Sequence, residues 1–270
     1  MEIAPLIHSR TFHCDFNSNF AVRPKDLNVQ WAMNKILPAM RDVDILNGAR
    51  RMVAYDGKIT IAGVACNFRY FAENYLSPDE RTEAENYLHD ERNREVKIFL
   101  GYAFKDSGVP DVSNSKLWQM FKQTLAPEWN RQTVETVIVP YESCGVKAVA
   151  GKSLDKKFYT SGERGDIEIF EQCIAERKDF CSNVDAVKIF EDGKYEIITA
   201  EQSVINRLQA EAQKKTQPPP SSNRPDKAAE QPFQARRNQS PKLSKEKEKP
   251  ILLILAAVVV IIAIIFFVMN

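Results

Sequence analysis

The chain has few of the residues that most metal and cofactor sites require. Its 270 residues include only ten glycines, five cysteines and three histidines. The cysteines show neither a CxxC pair nor the spacing of zinc ligands, and three histidines are too few for a conventional zinc site. No segment has the alternating Asp and Asn ligands of a calcium loop. We therefore predict no metal and no cofactor, and reduced thiols at Cys14, Cys66, Cys144, Cys173 and Cys181.

A basic surplus is also absent from most of the chain. Residues 214–249 hold ten Lys or Arg against four Asp or Glu, whereas residues 1–213 hold 27 basic and 32 acidic groups. Because nucleic acids are bound through basic patches, the acidic body is not expected to bind them. Residues 214–249 are also poor in large apolar side chains, so we predict a disordered basic linker rich in proline and lysine.

Residues 250–270 form the most distinctive segment. The run from Ile251 to Met269 contains no charged or polar residue. As a helix, nineteen residues span about 28 Å, close to the hydrocarbon thickness of a bilayer. Backbone groups in lipid must bond within the segment, which favours a helix despite the many Val and Ile residues. The sequence predicts a single-pass membrane anchor, with apolar positions that include Ile251, Leu255, Val259, Ile264, Phe267 and Met269.

The flank of this run predicts its orientation. Four lysines precede it, and basic residues beside a span stay on the cytoplasmic side; they are Lys242, Lys245, Lys247 and Lys249. We expect these lysines to lie near lipid headgroups and residues 1–213 to face the cytoplasm. Residues 1–10 lack a basic start and an apolar core, so no cleaved secretory signal is expected. Ala256 and Ala263 share a helix face, which leaves homo-oligomerisation open.

Residues 1–213 alternate between strand and helix patterns. Strand patterns occupy residues 11–22 (a strand pair), 52–66 (a hairpin around Asp56-Gly57), 96–104, 134–141 and 186–199 (a hairpin around Asp192-Gly193). Helix patterns occupy residues 27–40, 77–90, 115–125, 166–180 and 201–213. Such alternation with tight hairpins predicts an α/β domain, in which helices cover a mixed sheet. One domain or two subdomains would suit this length.

The segment from Gly145 to Ser153 partly resembles a phosphate-binding loop. Five residues separate its two glycines, whereas the loop that wraps phosphates has four. The residues that follow do not begin an obvious amphipathic helix, although the dipole of such a helix helps to bind phosphate. We expect an ordinary turn, and Gly151, Lys152 and Ser153 are the candidates for nucleotide binding.

Cys144 is the best placed thiol for nucleophilic chemistry, because it follows a predicted strand and precedes a glycine. A nucleophilic cysteine needs a base, and His13 or His89 would serve only if the fold brought one of them close. His13 also lies beside Cys14 and Asp15. In a strand, His13 and Asp15 would point to one side and Cys14 to the other, towards the core.

Three functions are consistent with these patterns. The leading hypothesis is a tail-anchored membrane protein that displays a cytosolic α/β domain for protein interaction, scaffolding or regulation. The alternative is a membrane-tethered hydrolase or nucleotide-dependent enzyme that uses Cys144 or the 145–153 segment. The third is an effector that disturbs the membrane through tail oligomerisation, although the span lacks the polar residues that line a pore. An exposed apolar patch on the domain would favour the first hypothesis.

Overall fold

The computed structural model of the chain describes residues 1–15, 19–41, 43, 48–133, 135–149, 153–161, 165–185, 188 and 195–216. These residues form a mixed α/β fold with a large mixed sheet and helices, which confirms the predicted class. Contacts place Met1–Pro219 in one compact unit. No helix in the described ranges is both long and apolar enough to cross a bilayer. The predicted anchor at Ile251–Met269 and its flanking lysines lie outside those ranges.

Twelve strands are found in the described part of the chain. They are β1 (Glu2–Ser9), β2 (Val22–Pro24), β3 (Arg50–Tyr55), β4 (Thr60–Asn67), β5 (Lys97–Phe104), β6 (Val109–Pro110), β7 (Val137–Val139), β8 (Glu142–Ser143), β9 (Val146–Lys147), β10 (Phe158–Thr160), β11 (Phe180–Val184) and β12 (Ile197–Ala200). Ten of them form one sheet in the order β10-β12-β11-β3-β4-β5-β1-β2-β7, with β8 also on β1. The β10–β12, β11–β12 and β2–β7 pairs are parallel and the other pairs of this sheet are antiparallel. β6 and β9 form a separate ribbon.

Six α-helices in the described residues cover this sheet. They are α1 (Val29–Met40), α2 (Phe68–Tyr75), α3 (Pro78–Ala84), α4 (Asn114–Thr124), α5 (Asp166–Glu176) and α6 (Gln202–Thr216). Alternate residues of each central strand face opposite sides of a sheet. Val64 of β4, for example, packs in the core beneath α2, α4 and α5, whereas Ala65 packs in the core beneath α1 and α6. Helices therefore bury both faces of the sheet.

Side chains at the helix starts explain where several helices begin. The Asn28 side chain accepts a hydrogen bond from the backbone N–H of Trp31 at the start of α1. Ser77 and Glu80 form a reciprocal capping box at α3, and Pro78 occupies the first turn. Such caps satisfy N–H groups that lack a partner within the helix. The predicted Ser77-Pro78 start is therefore confirmed, although α3 ends at Ala84 and a 3₁₀ turn follows.

The central hairpin was predicted correctly. The Asp56 side chain accepts hydrogen bonds from the backbone N–H groups of Lys58 and Ile59 at 2.8 and 2.7 Å. Gly57 has φ of +96°, which is a left-handed conformation that glycine adopts without steric cost. The sequence pattern and the turn chemistry therefore agree at this point of the chain.

The strand pair predicted at residues 11–22 is wrong in its position. The strand is β1, at Glu2–Ser9, and only Val22 of the predicted range lies in β2. Residues 11–15 form a loop, in which the Thr11 N–H donates to the Cys14 carbonyl. The alternation of Phe12 and Cys14 was misleading, because the Phe12 backbone bonds to Trp129 and Glu91, which are not in strands. The strand on which the predicted orientations of His13 and Cys14 depended is therefore not found at residues 11–15, and Cys14 is half-buried rather than a core residue.

Two other boundaries were also predicted inaccurately. The helix predicted at 166–180 ends at Glu176, because Arg177 adopts a left-handed conformation and Phe180 begins β11. The strand predicted at 134–141 is limited to β7, since only Val137–Val139 pairs with β2. Most of the hairpin predicted at 186–199 lies outside the described residues, and its last part, β12, pairs in parallel with β11.

Candidate functional site

The loop at residues 11–15 contacts a polar turn at residues 88–95. The backbone N–H of Glu91 donates to the Phe12 carbonyl at 2.9 Å. His13 Nδ1 lies 2.8 Å from Glu91 Oε2, so the histidine and the carboxylate are hydrogen bonded. Two segments that are distant in the sequence therefore meet, and His13 lies beside Glu91, which belongs to the same turn as His89.

Asp90 lies at the centre of this polar turn. Its side chain is only 2% exposed and accepts hydrogen bonds from Arg10 at 3.0 Å and Arg94 Nε at 2.6 Å. The backbone N–H groups of Arg92 and Arg94 donate to its other oxygen. Burial disfavours the carboxylate, but these hydrogen bonds outweigh it and lower the pKa of Asp90 to about 2. Because its acceptor positions are occupied, Asp90 acts as a structural clamp and is poorly suited to accept a proton.

His89 occupies the start of the same turn. Its Nε2 lies 3.2 Å from a terminal nitrogen of Arg69, whose Nε donates to Glu95 at 3.1 Å. The Asn67 side-chain amide donates to the other Glu95 oxygen. The hydrogen bond from Asn67 lowers the pKa of Glu95, burial opposes this effect, and Arg69 adds to it. His89 thus belongs to this turn and His13 contacts it from the 11–15 loop, but the two histidines bind different partners.

Cys144 lies elsewhere, between β8 and β9. Its backbone N–H donates to the Met1 carbonyl at 2.8 Å, and the Met1 amino group donates to the Cys144 carbonyl at 3.2 Å. Its thiol donates to the Asp111 carbonyl at 3.5 Å. All three histidines are described, and none of the described hydrogen bonds joins one of them to Cys144. Among the described residues, neither His13 nor His89, the two candidate bases, is therefore paired with the Cys144 thiol.

The 145–153 segment begins as part of a ribbon. The Gly145 carbonyl accepts from the Asp111 N–H at 2.9 Å, and β9 then pairs antiparallel with β6. Ser153 is exposed, while Gly151 and Lys152 lie outside the described residues. The next regular element described is the strand β10, whereas a phosphate-binding loop leads into a helix. The described geometry therefore lacks the helix dipole that would favour phosphate.

Strand β9 and helix α5, which an ion pair joins, each carry one exposed apolar side chain. Val146 is 60% exposed and Ile167 is 54% exposed. Lys147 of β9 and Glu171 of α5 form an ion pair, and Ile167 lies one turn before Glu171 on the same face of the helix. We call these four residues the β9–α5 surface. Its sequence signal was the position of Ile167, an apolar residue outside the buried face of α5, which is formed by Ile169, Phe170, Cys173 and Ile174.

The fold and these sites define the chain as a mixed α/β protein with a helix-covered sheet, and the residues considered for catalysis are dispersed over it. No group of three or more His, Cys, Asp or Glu side chains within the described ranges is arranged to hold a metal ion. No protein-family model, curated protein or solved structure matches the chain. Its function is therefore argued from its own residues.

Proposed function

We propose that this chain is a single-pass, tail-anchored membrane protein whose α/β domain faces the cytoplasm and binds a protein partner. The anchor is the uncharged run from Ile251 to Met269, and the basic residues that follow the end of α6 at Thr216 link it to the domain. Lysines on the domain side of the anchor support the cytoplasmic orientation. A linker of this length has a root-mean-square span of about 30 to 36 Å, so the domain can reach partners near the membrane.

The observation that carries the interaction role is the β9–α5 surface. Val146 and Ile167 leave more than half of their surface in water, although both are large and apolar. Burying such side chains against a partner is favourable by about 25 cal/mol per Å² of apolar area. The neighbouring pair of Lys147 and Glu171 supplies a polar rim, which is typical of an interface.

The anchor is tested by fractionating cells that express the full chain or a version truncated after Gln213. The full chain should stay with membranes after alkaline carbonate extraction, and the truncated chain should be released. Protease added to intact cytoplasm-side-out vesicles should digest the domain. A full chain that carbonate releases from membranes would contradict the anchor.

The interaction surface is tested by photo-cross-linking in the full chain. A photoreactive amino acid at Ile167 should give a discrete adduct in native membranes, and the additional change Val146→Glu should abolish it. Leu37 of α1 is the matched control, because it is 48% exposed and apolar but lies on another element. An adduct with a second copy would identify homo-oligomerisation as the interaction. Equal adducts at Ile167 and Leu37, or none at Ile167, would refute the role of this surface.

A further inference from the structure

Two adjacent arginines of β3 have contrasting environments. Arg50 is fully buried and donates to the carbonyls of Ala39, Arg41 and Asn183 and to the Asp185 carboxylate. These acceptors satisfy its guanidinium group, which closes the end of α1. Arg50 therefore has a structural role, which is to bind the backbone at the end of α1.

Arg51 points to the opposite face of the sheet, where its guanidinium group forms no hydrogen bond or ion pair with any described residue. The hydrogen bonding of Arg51 is on its backbone, which pairs with β4 and whose N–H donates to the Ser182 hydroxyl at 2.8 Å. The residue is partly exposed, and none of its side-chain nitrogens is sealed from solvent. A guanidinium group has five N–H donors in a planar fork. All of the Arg51 donors are thus available to a molecule that arrives from solvent.

Aromatic rings from two helices flank this group. The guanidinium carbon lies 5.5 Å from the ring centre of Tyr75, at the end of α2, and 5.7 Å from that of Phe170, in α5. Arg51 therefore lies between one ring of α2 and one ring of α5 on the sheet face, and we call this place the gap between α2 and α5. Contacts with ring faces stabilise a cation and restrict its side chain, but they do not satisfy the N–H donors. The rings thus hold the guanidinium group in place, while the N–H donors along its edge make no hydrogen bond to a described residue.

The nearby acidic groups do not neutralise this charge. Burial raises the pKa values of Cys66 and Tyr75 to about 12, and the positive charge of Arg51 only partly opposes the effect. Burial also raises the pKa of Tyr102, which lies in the same core. All three groups are neutral near pH 7. The carboxylate of Glu171, whose charge also acts on Tyr102, is paired with Lys147, so none of the described acidic groups is paired with Arg51.

We propose that Arg51 binds the oxyanion of a small organic acid, a carboxylate or a phosphate monoester, in the gap between α2 and α5. A carboxylate or phosphate accepts two parallel N–H bonds from a guanidinium group, which matches the unused fork. The rings of Tyr75 and Phe170 favour a ligand with an apolar or aromatic body beside its anionic end. The same positive charge disfavours a metal cation.

The experiment uses the full chain in non-ionic detergent and three probes of similar shape. These are benzoate, phenyl phosphate and benzylamine, and inorganic phosphate is a fourth probe without an apolar body. Binding is measured by isothermal titration calorimetry and by the Nε–Hε resonance of Arg51 in ¹⁵N-labelled protein. We expect benzoate or phenyl phosphate to bind and to shift this resonance, while benzylamine does neither. The stronger of the two anions identifies whether the site prefers a carboxylate or a phosphate, and weaker binding of inorganic phosphate shows that the rings contribute.

Two substitutions and one control complete the test. Arg51→Gln should weaken binding about tenfold or more, because charge-assisted hydrogen bonds are lost, and Arg51→Lys should retain part of it. Arg177→Gln is the matched control. Arg177 also lies over a ring, 4.9 Å from the ring centre of Tyr55, but its guanidinium group is hydrogen bonded to the Tyr55 hydroxyl. This substitution should leave binding unchanged. If Arg51→Gln does not fold, the resonance of the unaltered protein and Arg51→Lys decide the question. Binding of benzylamine equal to that of the anions, no binding of either organic anion, or full binding by Arg51→Gln would overturn the proposal.

Discussion

Acidification from pH 8 to pH 5 should destabilise the domain through His8, a histidine of β1. Its residue surface is only 2% exposed, and its Nδ1 lies 3.2 Å from the Asn19 carbonyl. The ring also meets the ring of Phe20 edge to face, with centres 5.8 Å apart. Burial disfavours the imidazolium ion and lowers the pKa of His8 from 6.5 to about 4, although the Asn19 carbonyl opposes the shift. His8 is therefore neutral in the folded protein near pH 7.

The size of the effect follows from the difference between the two pKa values. A folded-state pKa below the unfolded value means that the unfolded chain binds more protons. The stability is thus fully present above about pH 6.5 and is lost as the pH falls towards 4. Between pH 8 and pH 5 the loss is about 2 kcal/mol, which is a large share of the 5–15 kcal/mol typical of a domain. Asp90 loses its stabilising effect only below about pH 3.8, outside this window.

The assay is urea unfolding of the full chain in detergent at pH 8 and pH 5, compared with His8→Asn. Asparagine keeps an N–H donor near the Nδ1 position but does not titrate. The wild-type free energy of unfolding should fall by about 2 kcal/mol more than that of His8→Asn over this range. Taking the difference between the two proteins cancels the contributions of all other titrating groups. Equal pH dependence in both proteins would refute the buried, neutral state of His8.

Two further substitutions test the fold itself. Arg50→Met should lower the free energy of unfolding by about 3 kcal/mol in urea titrations, because it leaves buried carbonyls without a donor. A loss below about 1 kcal/mol would mean that water replaces the guanidinium group as the donor to these carbonyls. Gly63→Ala should cost more than about 2 kcal/mol, because its new Cβ would lie only 2.5 Å from the Leu100 carbonyl oxygen, a backbone atom that no rotamer change can move. Gly145→Ala is the control, since its Cβ would meet its nearest atom at 3.5 Å and should change stability by less than about 0.5 kcal/mol in thermal melts. Similar losses at the two glycines would contradict the close approach of β4 and β5.

Local chemistry was the part of the fold that the sequence predicted well. The start of α3 at Ser77-Pro78, the turn at Asp56-Gly57 and the helix predicted at 115–125, which is α4, all depend on residues within a few positions of one another. The strand β1 was missed because Glu2–Ser9 is apolar on both sides, so it lacks the alternation of a half-exposed strand. The parallel pairing of β11 with β12 was missed because a pairing partner is not encoded in a strand's own pattern.

The candidate sites depended still more on tertiary structure. The chemistry of Cys144, His13 and His89 is compatible, yet the fold binds Cys144 to Met1 and Asp111. It places His89 in the 88–95 turn and His13 in a separate loop that contacts this turn. Arg51 gave no sequence signal, because its neighbour Arg50 is the same residue type. The two arginines differ because successive residues of a strand face opposite sides of the sheet, and different helices cover each side.

By itself, the sequence determined the class of the domain, its main helices and central hairpin, and the division between an acidic body, a basic segment and an apolar run. These properties follow from composition and short-range periodicity, which need no knowledge of distant residues. Tertiary structure alone decided the strand order, the buried state of His8 and the solvent-accessible guanidinium group of Arg51 between Tyr75 and Phe170. Each of these depends on contacts between residues far apart in the chain, because burial, hydrogen bonding and charge compensation are set by whichever segments the fold brings together.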